Sequence, residues 1–480
     1  MDVAKAEVLE NPQASRAVRQ MAAINDTDAE SGVHKVFREH GLVPPVPISQ
    51  VDLGVPTLRA FPIIRLRDWG QYLLNAGLLW RQMTGCDTFE KMNAVLAEFW
   101  NRMRSIFPNH GVYQLASEGV LELQNTIPIY SHTDEGRSLK KNPILVISTH
   151  GVLGRGTFAF LRAGKHKAKL SRNSMGMNFI NHPMASHFVF ATFLKAVSDL
   201  HPGCLDTLMR LYSEDVESLL LDGITSSDHT KQVWFCHMNT KGDLPALQRL
   251  GSLQRNFLRA PKAKASKKPA VGICHLCLAG KEYRAPDGSS NNVSPYPFED
   301  LGLNPGWLAT IGTESPWQEL PVILQGVPLG DVPPASFFAA DLWHCFHLGV
   351  AKHWLASSFV AIVEFLPIQN ATSIEGKFEW LTSTYREFER QHGRCGWVKK
   401  IDREFLNFPS GNVCPIGSWN KGSTSTHLMK FLEWFCTRYV TNKTDNELLK
   451  AVVPCSLHYC NFVTPVDVST YYILKRGLLE

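Results

Sequence analysis

Three groups of side chains in this sequence have the types and spacing to do chemistry. In FFAADLWHCFHLGVAKHWLASSFV, Leu342, Cys345, Phe346, Leu348, Gly349 and Trp354 recur at three- and four-residue spacing. That periodicity predicts a helix with Asp341 and His344 one turn apart on one face, aiming a carboxylate and an imidazole at one place. An N-cap Asp followed by a His on a half-buried helix accounts for the pair equally well. Asp134 and Asp243 form the second group, each closing an apolar run, TIPIYSHTD and KQVWFCHMNTKGD. Alone, each reads as a turn or cap residue. Brought to neighbouring strand ends, two carboxylates repel, and a divalent cation between them is the natural compensation. The third group is Cys274 and Cys277 in GICHLCLAG, with the C-x-x-C spacing that lets two thiolates grip one Zn2+. A structural zinc wants four ligands and no second C-x-x-C exists; Cys236, His237, Cys345 and His347 are the available completions, and buried unligated thiols are the alternative.

Positioning Asp134 beside Asp243 requires a sheet. TIPIYSHTD and PILVISTH read as two strands joined by the polar turn EGRSLKKN, and MGMNFINHP offers a third. Leu205, Leu208, Met209, Tyr212, Val216, Leu219 and Leu220 then mark a helix ending near Gly223. KQVWFCHMNTKGD follows as a fourth strand, and LPALQRLGSLQRNF as a helix that tolerates Pro245 in its first turn. The order β, β, β, α, β, α is that of a ribonuclease-H-like core, an α/β fold with a mixed sheet and flanking helices. In that fold the first and fourth strands are neighbours, which would join Asp134 to Asp243.

Around this core, residues 1–50 read as largely disordered, 51–119 as a small helical domain and 120–260 as the first part of the core. Residues 261–335 read as a basic linker and an irregular insertion carrying the cysteine pair, and 336–480 as a helical region whose aromatic stripes, such as Phe378, Leu381, Tyr385 and Phe388, are core. The final STYYILKRGLLE reads as cut. With 480 residues, 44% hydrophobic and 19% charged, the chain can bury a sizeable core over two or three domains. A net charge of +5 does not by itself indicate nucleic acid. Arg255, Arg259, Lys262, Lys264, Lys267 and Lys268 nevertheless crowd one segment without an acid, as a solvated linker or a phosphate-contacting arm would. Eleven cysteines in so long a chain, behind a polar N-terminus, predict a reducing compartment. The apolar runs near 188–197 and 354–366 are read as too short for a membrane. Other catalytic signatures are missing: there is no G-x-S-x-G and no H-E-x-x-H, and GSWNKGS lacks the lysine of a phosphate loop.

The series KGDLPALQRLG, CHLC and DLWHCFHLGVAKH resembles that of CACTA-type (Enhancer/Suppressor-mutator) DNA transposases, over about residues 120–360. Trp343 stands where the family has Met. The resemblance implies metal-dependent cleavage and strand transfer at transposon ends in the nucleus, on double-stranded DNA, with two Mg2+ ions held by three carboxylates. It makes Asp243 the second metal-binding acid and Asp341 with His344 the D-x-x-H signature, His344 bracing the site or orienting the scissile phosphate. Asp134 as the first acid rests on the strand order. The third acid belongs on a helix after the insertion, for which Glu433 in KFLEWFC, and Glu447, are the candidates. Without it the chain would be a DNA-binding relative that does not cut; an unrelated α/β scaffold is the third alternative. The oligomeric state, a homo-oligomer among the options, is left open.

Overall fold

The computed structural model describes residues 2–11, 13–137, 142–154, 186–259, 269–283, 293–341, 343–368, 371–393, 398–410, 413–441 and 444–466. After a two-stranded ribbon, β1 (Ser49–Val51) and β2 (Phe61–Ile63), the chain builds a six-stranded mixed sheet. Its first strand, β3 (Thr126–Arg137), pairs antiparallel with β4 (Pro143–Gly151), which pairs antiparallel with β5 (Phe188–Leu194). On its other side β3 runs parallel to β7 (Gln232–Gly242). The short β6 (Ile224–Thr225) and β8 (Phe338–Ala340) both pair with β7, β6 antiparallel and β8 parallel. The first and fourth long strands are therefore neighbours, as expected. The third strand differs: it is Phe188–Leu194, and MGMNFINHP at 175–183 lies outside the described residues.

One face of this sheet is covered by the helix Pro202–Leu221, whose Leu205, Leu208, Met209, Tyr212, Val216, Leu219 and Leu220 are all buried. The predicted stripe thus meets Ile127, Ile129, Ile147, Phe190 and Phe235 in one core. The helix stops where Gly223 turns left-handed (φ 65°), and a Cβ there would lie 2.7 Å from the Val233 carbonyl oxygen. Only glycine meets both conditions without strain.

Residues 51–119 do not form a domain of their own. Leu73, Leu79, Met92, Leu96 and Trp100, from the helices Leu66–Asn75, Leu79–Thr84 and Phe89–Ile106, belong to the same core as the sheet. The buried Asp215 ties the two parts by accepting a 2.6 Å hydrogen bond from the Leu66 N–H, at the open start of a helix. Nor is the N-terminal segment without structure: it carries the helices Asp2–Glu10, Arg16–Ala22 and Ala29–Glu39.

A second core lies C-terminal to the sheet, where helices Ala351–Phe365, Ile374–Gln391, Gly422–Phe435 and Glu447–Val466 gather Leu355, Phe359, Leu381, Tyr385, Phe388, Leu428, Phe431 and Phe435. The predicted aromatic stripes are its interior. With the π-helical turns that precede it, the first helix spans Trp343–Phe365, which extends the apolar run at 354–366 toward the N-terminus and is long and apolar enough to cross a membrane by length and composition. Burial of Ala351, Leu355, Phe359, Ile362 and Val363 in this core accounts for its apolarity.

Candidate metal centre

The site lies where the parallel pairing of three strands ends. Thr133 of β3 pairs with Gly242 of β7, and Gly242 with Ala340 of β8. The next residues are Asp134, Asp243 and Asp341, so three aspartates form one row across the sheet. The Asp341 N–H extends the pairing by donating to the Gly242 carbonyl at 2.8 Å. Asp134 is not at a strand end, as expected, but inside β3, which continues to Arg137 against β4. What ends there is its pairing with β7.

A bulge decides which way Asp243 faces. β7 is in register with β3 as far as Ile129↔His237, then shifts so that Tyr130 pairs with Asn239 and Met238 is left over. In an unbroken ladder Asp243 would fall opposite Glu135 on the other face, because a one-residue slip inverts every side chain. The extra residue puts it beside Asp134 instead. Gly242 lets the strands close up: a Cβ on it would lie 2.9 Å from the Thr133 carbonyl oxygen.

Asp134, Asp243 and His344 each offer a ligand atom, and these lie within 4.8 Å of one another; this is the sole such group among the described residues. Asp243 keeps its ordinary local task as well, one carboxylate oxygen accepting from the Ala246 N–H at 2.8 Å to cap the helix Leu244–Leu250. That helix ends at Gly251, earlier than the sequence predicts.

Asp341 and His344 are held as a unit. One Asp341 oxygen accepts from the Trp343 N–H at 2.9 Å and the other lies 2.7 Å from His344 Nδ1, leaving Nε2 for a cation. A histidine ligand whose second nitrogen is held by a carboxylate is a recurrent metal-site arrangement. The geometry therefore brings His344 among the ligand atoms, with Asp341 behind it. Contact with Asp341 raises the His344 pKa above its ordinary value. Burial pushes the Asp341 carboxyl up, but hydrogen bonds from His344 and Trp343 outweigh it and hold the group low. The helix carrying them opens as a π-helix, Trp343–Val350, in place of the predicted α-turn; such turns are frequent at functional sites. Two carboxylates fit a hard, oxygen-seeking cation, and one imidazole beside them moves the preference from Mg2+ toward Mn2+.

The remaining predicted residues lie elsewhere. The helix Gly422–Phe435 meets the site region with its N-terminus, where Gly422 abuts Trp343 and Thr426 reaches His347. Glu433 is roughly three turns further along. Glu447 is exposed and pairs with Lys450 at 2.9 Å. Arg255 is buried at 5% exposure, its guanidinium bonded to the carbonyls of Cys274, His275, Glu314 and Ser315. It braces the cysteine loop, so the expectation that it contacts DNA fails. Arg259 is exposed, whereas Lys262, Lys264, Lys267 and Lys268 lie outside the described residues.

Among the described residues no third ligand joins the cysteine pair. Of the expected completions, Cys236 faces Met238, His237 faces Ser131 and His347 faces Thr426. A hydrogen bond with Cys277 lowers the Cys274 thiol to about 5.

Sequence reasoning passed over a second set of residues on the acid face: His132 and Lys241, one pair of residues back from the aspartates, and His150 on β4. Burial lowers His132 to about 4 and Lys241 to about 8, the latter opposed by Asp341. The alternations Tyr130–His132–Asp134 and Asn239–Lys241–Asp243 were the available signal. No known protein-family model matches the chain, and no curated protein matches it either.

Proposed function

We propose that this protein is a metal-dependent phosphodiester-transfer protein of the DNA-transposase kind, built on a ribonuclease-H-like core and acting on double-stranded DNA in the nucleus. The observation that carries the reading is the convergence of Asp134 and Asp243, far apart in sequence, where the pairing of two adjacent parallel strands ends, with His344 between them and the C-terminal helices. The strand order β5-β4-β3-β7-β8, with the first three long strands antiparallel and the last three parallel, supports the fold assignment.

A divalent cation, Mg2+ or Mn2+, bound here would polarise a phosphodiester and lower the pKa of an attacking water or 3′ hydroxyl. Asp134 and Asp243 would hold it from two strands that the core keeps rigid. Asp341 would fix the tautomer and direction of His344, which completes the donor set from the third strand end.

The test is Mn2+ binding by the full chain together with Mn2+- or Mg2+-dependent nicking and strand transfer on duplex DNA. Wild type should bind and cut, and Asp243→Ala should do neither. Equal turnover by the two proteins removes the catalytic reading. One observation favours a second reading, a DNA-binding relative that does not cut: Glu433 and Glu447, the expected third acids, do not join the metal-holding group. Metal binding without nicking is its signature.

A further inference from the structure

Behind the aspartates, the same sheet face carries two more rows. One residue pair back along the strands, roughly 7 Å away, His132 of β3 is opposite Lys241 of β7 and Ser148 of β4. A further pair back, Tyr130 is opposite Asn239 and His150. An acid row is thus followed by a cationic and imidazole row and then by a polar one.

These rows are chemically incomplete by themselves. Lys241 is half-buried, with its Nζ 5.4 Å from the Tyr130 ring centroid, and it makes no hydrogen bond or ion pair among the described residues. An ammonium so placed has lost part of its hydration, and Asp341 acts on it without forming an ion pair. His150 is 4% exposed; its Nδ1 lies 2.8 Å from the Gly151 carbonyl, which the ring N–H satisfies, and its Nε2 is buried with no partner. Asn239 Oδ1 is in the same condition. Buried polar atoms are almost always paired, so these two atoms, with the half-buried Lys241 ammonium beside them on one sheet face, point to a polar ligand that covers them.

Resting on the function proposed above, we infer that this face is a nucleic-acid track: Lys241, with His132 beside it, receives the phosphate next to the one held at the aspartate row. The Lys241 ammonium supplies the charge and the His132 ring N–H a hydrogen bond. His150 Nε2 and Asn239 Oδ1, both acceptors, take hydroxyl or amino hydrogens of the adjoining nucleotide. Lys241 is thereby a positioning residue that sets where the backbone lies relative to Asp134 and Asp243.

The experiment is duplex and single-stranded DNA binding by the full chain, followed by fluorescence anisotropy in EDTA over a range of salt concentrations. Lys241→Gln should lower the slope of log affinity against log salt by about 0.9 on duplex or 0.7 on single strand, and weaken binding about eightfold on duplex at 0.1 M salt, while Lys241→Arg restores both. If the glutamine variant does not fold, Lys241→Met carries the same expectation. An unchanged slope overturns the inference, and an accompanying rise in Mn2+ affinity would assign Lys241 as a counter-ion of the aspartates. Mn2+ titration without DNA reads the metal centre separately: a wild type that ignores Mn2+ but keeps the Lys241-dependent slope sinks the metal reading and leaves the phosphate track standing.

Discussion

The two faces of the central sheet come from the same strands and have opposite characters. Ile127, Ile129, Leu145, Ile147 and Phe235 look toward the helix Pro202–Leu221 and are at most 1% exposed. Tyr130, His132, Asp134, Asn239, Lys241 and Asp243 face the other way and carry charge, the unpartnered Asn239 Oδ1 and two of the three converging aspartates. The first face supplies the burial that holds the strands in register, at about 25 cal/mol per Å2 of apolar surface. The second is costly to fold, because like charges are gathered in one row. Residues that stabilise and residues that could react are therefore separable here by the sheet face they occupy, which makes the contrast open to test.

The most damaging change should be insertion of one residue between Asn239 and Thr240, which slips the strand by one and turns Lys241 and Asp243 to the apolar side. Both the folded state and Mn2+ binding should be lost, as read by circular dichroism and metal titration; retained metal binding would show that the register after the bulge does not set the site. Phe235→Ala, on the apolar face, should cost about 3–5 kcal/mol in urea unfolding. Metal affinity of its folded fraction should stay within about twofold of wild type. The mirror case is Asp134→Asn: Mn2+ affinity should fall by more than about 100-fold, beyond what loss of an outer partner costs. Stability should hold or rise by up to about 1 kcal/mol as repulsion is relieved. A marked loss of stability would mean that the carboxylate is needed for folding, and the contrast between the faces would be blurred.

Acid should act on the apolar face as well. Burial lowers His237, hydrogen-bonded to Ser131, from 6.5 to about 3. The unfolded chain then binds a proton that the folded one refuses between these values, so its contribution is present above pH 6.5 and lost as pH falls, at up to about 1.4 kcal/mol per unit. His237→Asn should flatten the stability profile in urea melts between pH 7 and 4.5. The smallest effect belongs near the C-terminal end of β3, where Glu135 bridges Arg249 at 2.9 Å and Lys195 at 3.0 Å. These groups are partly exposed, and Glu135→Gln should cost no more than about 1 kcal/mol, with less at high salt.

The local elements were legible in the sequence because their signals are local. The spacing of Leu205 to Leu220 marks a helix whatever surrounds it, and the apolar runs before Asp134 and Asp243 mark strands. The aromatic stripes from Phe378 and Leu428 likewise announce a core. Even the convergence of Asp134 and Asp243 was within reach, since strand order carries it. Side-chain direction was not. Counting residues by twos from Ile129 and His237 puts Asp134 and Asp243 on opposite faces, and only the unpaired Met238 brings them together. Arg255 was misread for a related reason: a run of basic residues looks the same whether its first member points to solvent or, as here, into two carbonyls of the cysteine loop and those of Glu314 and Ser315. Sequence period determines which residues share a face within an element, because that follows from backbone geometry. Which face of one element meets which face of another depends on register between distant segments, and tertiary packing alone decides it.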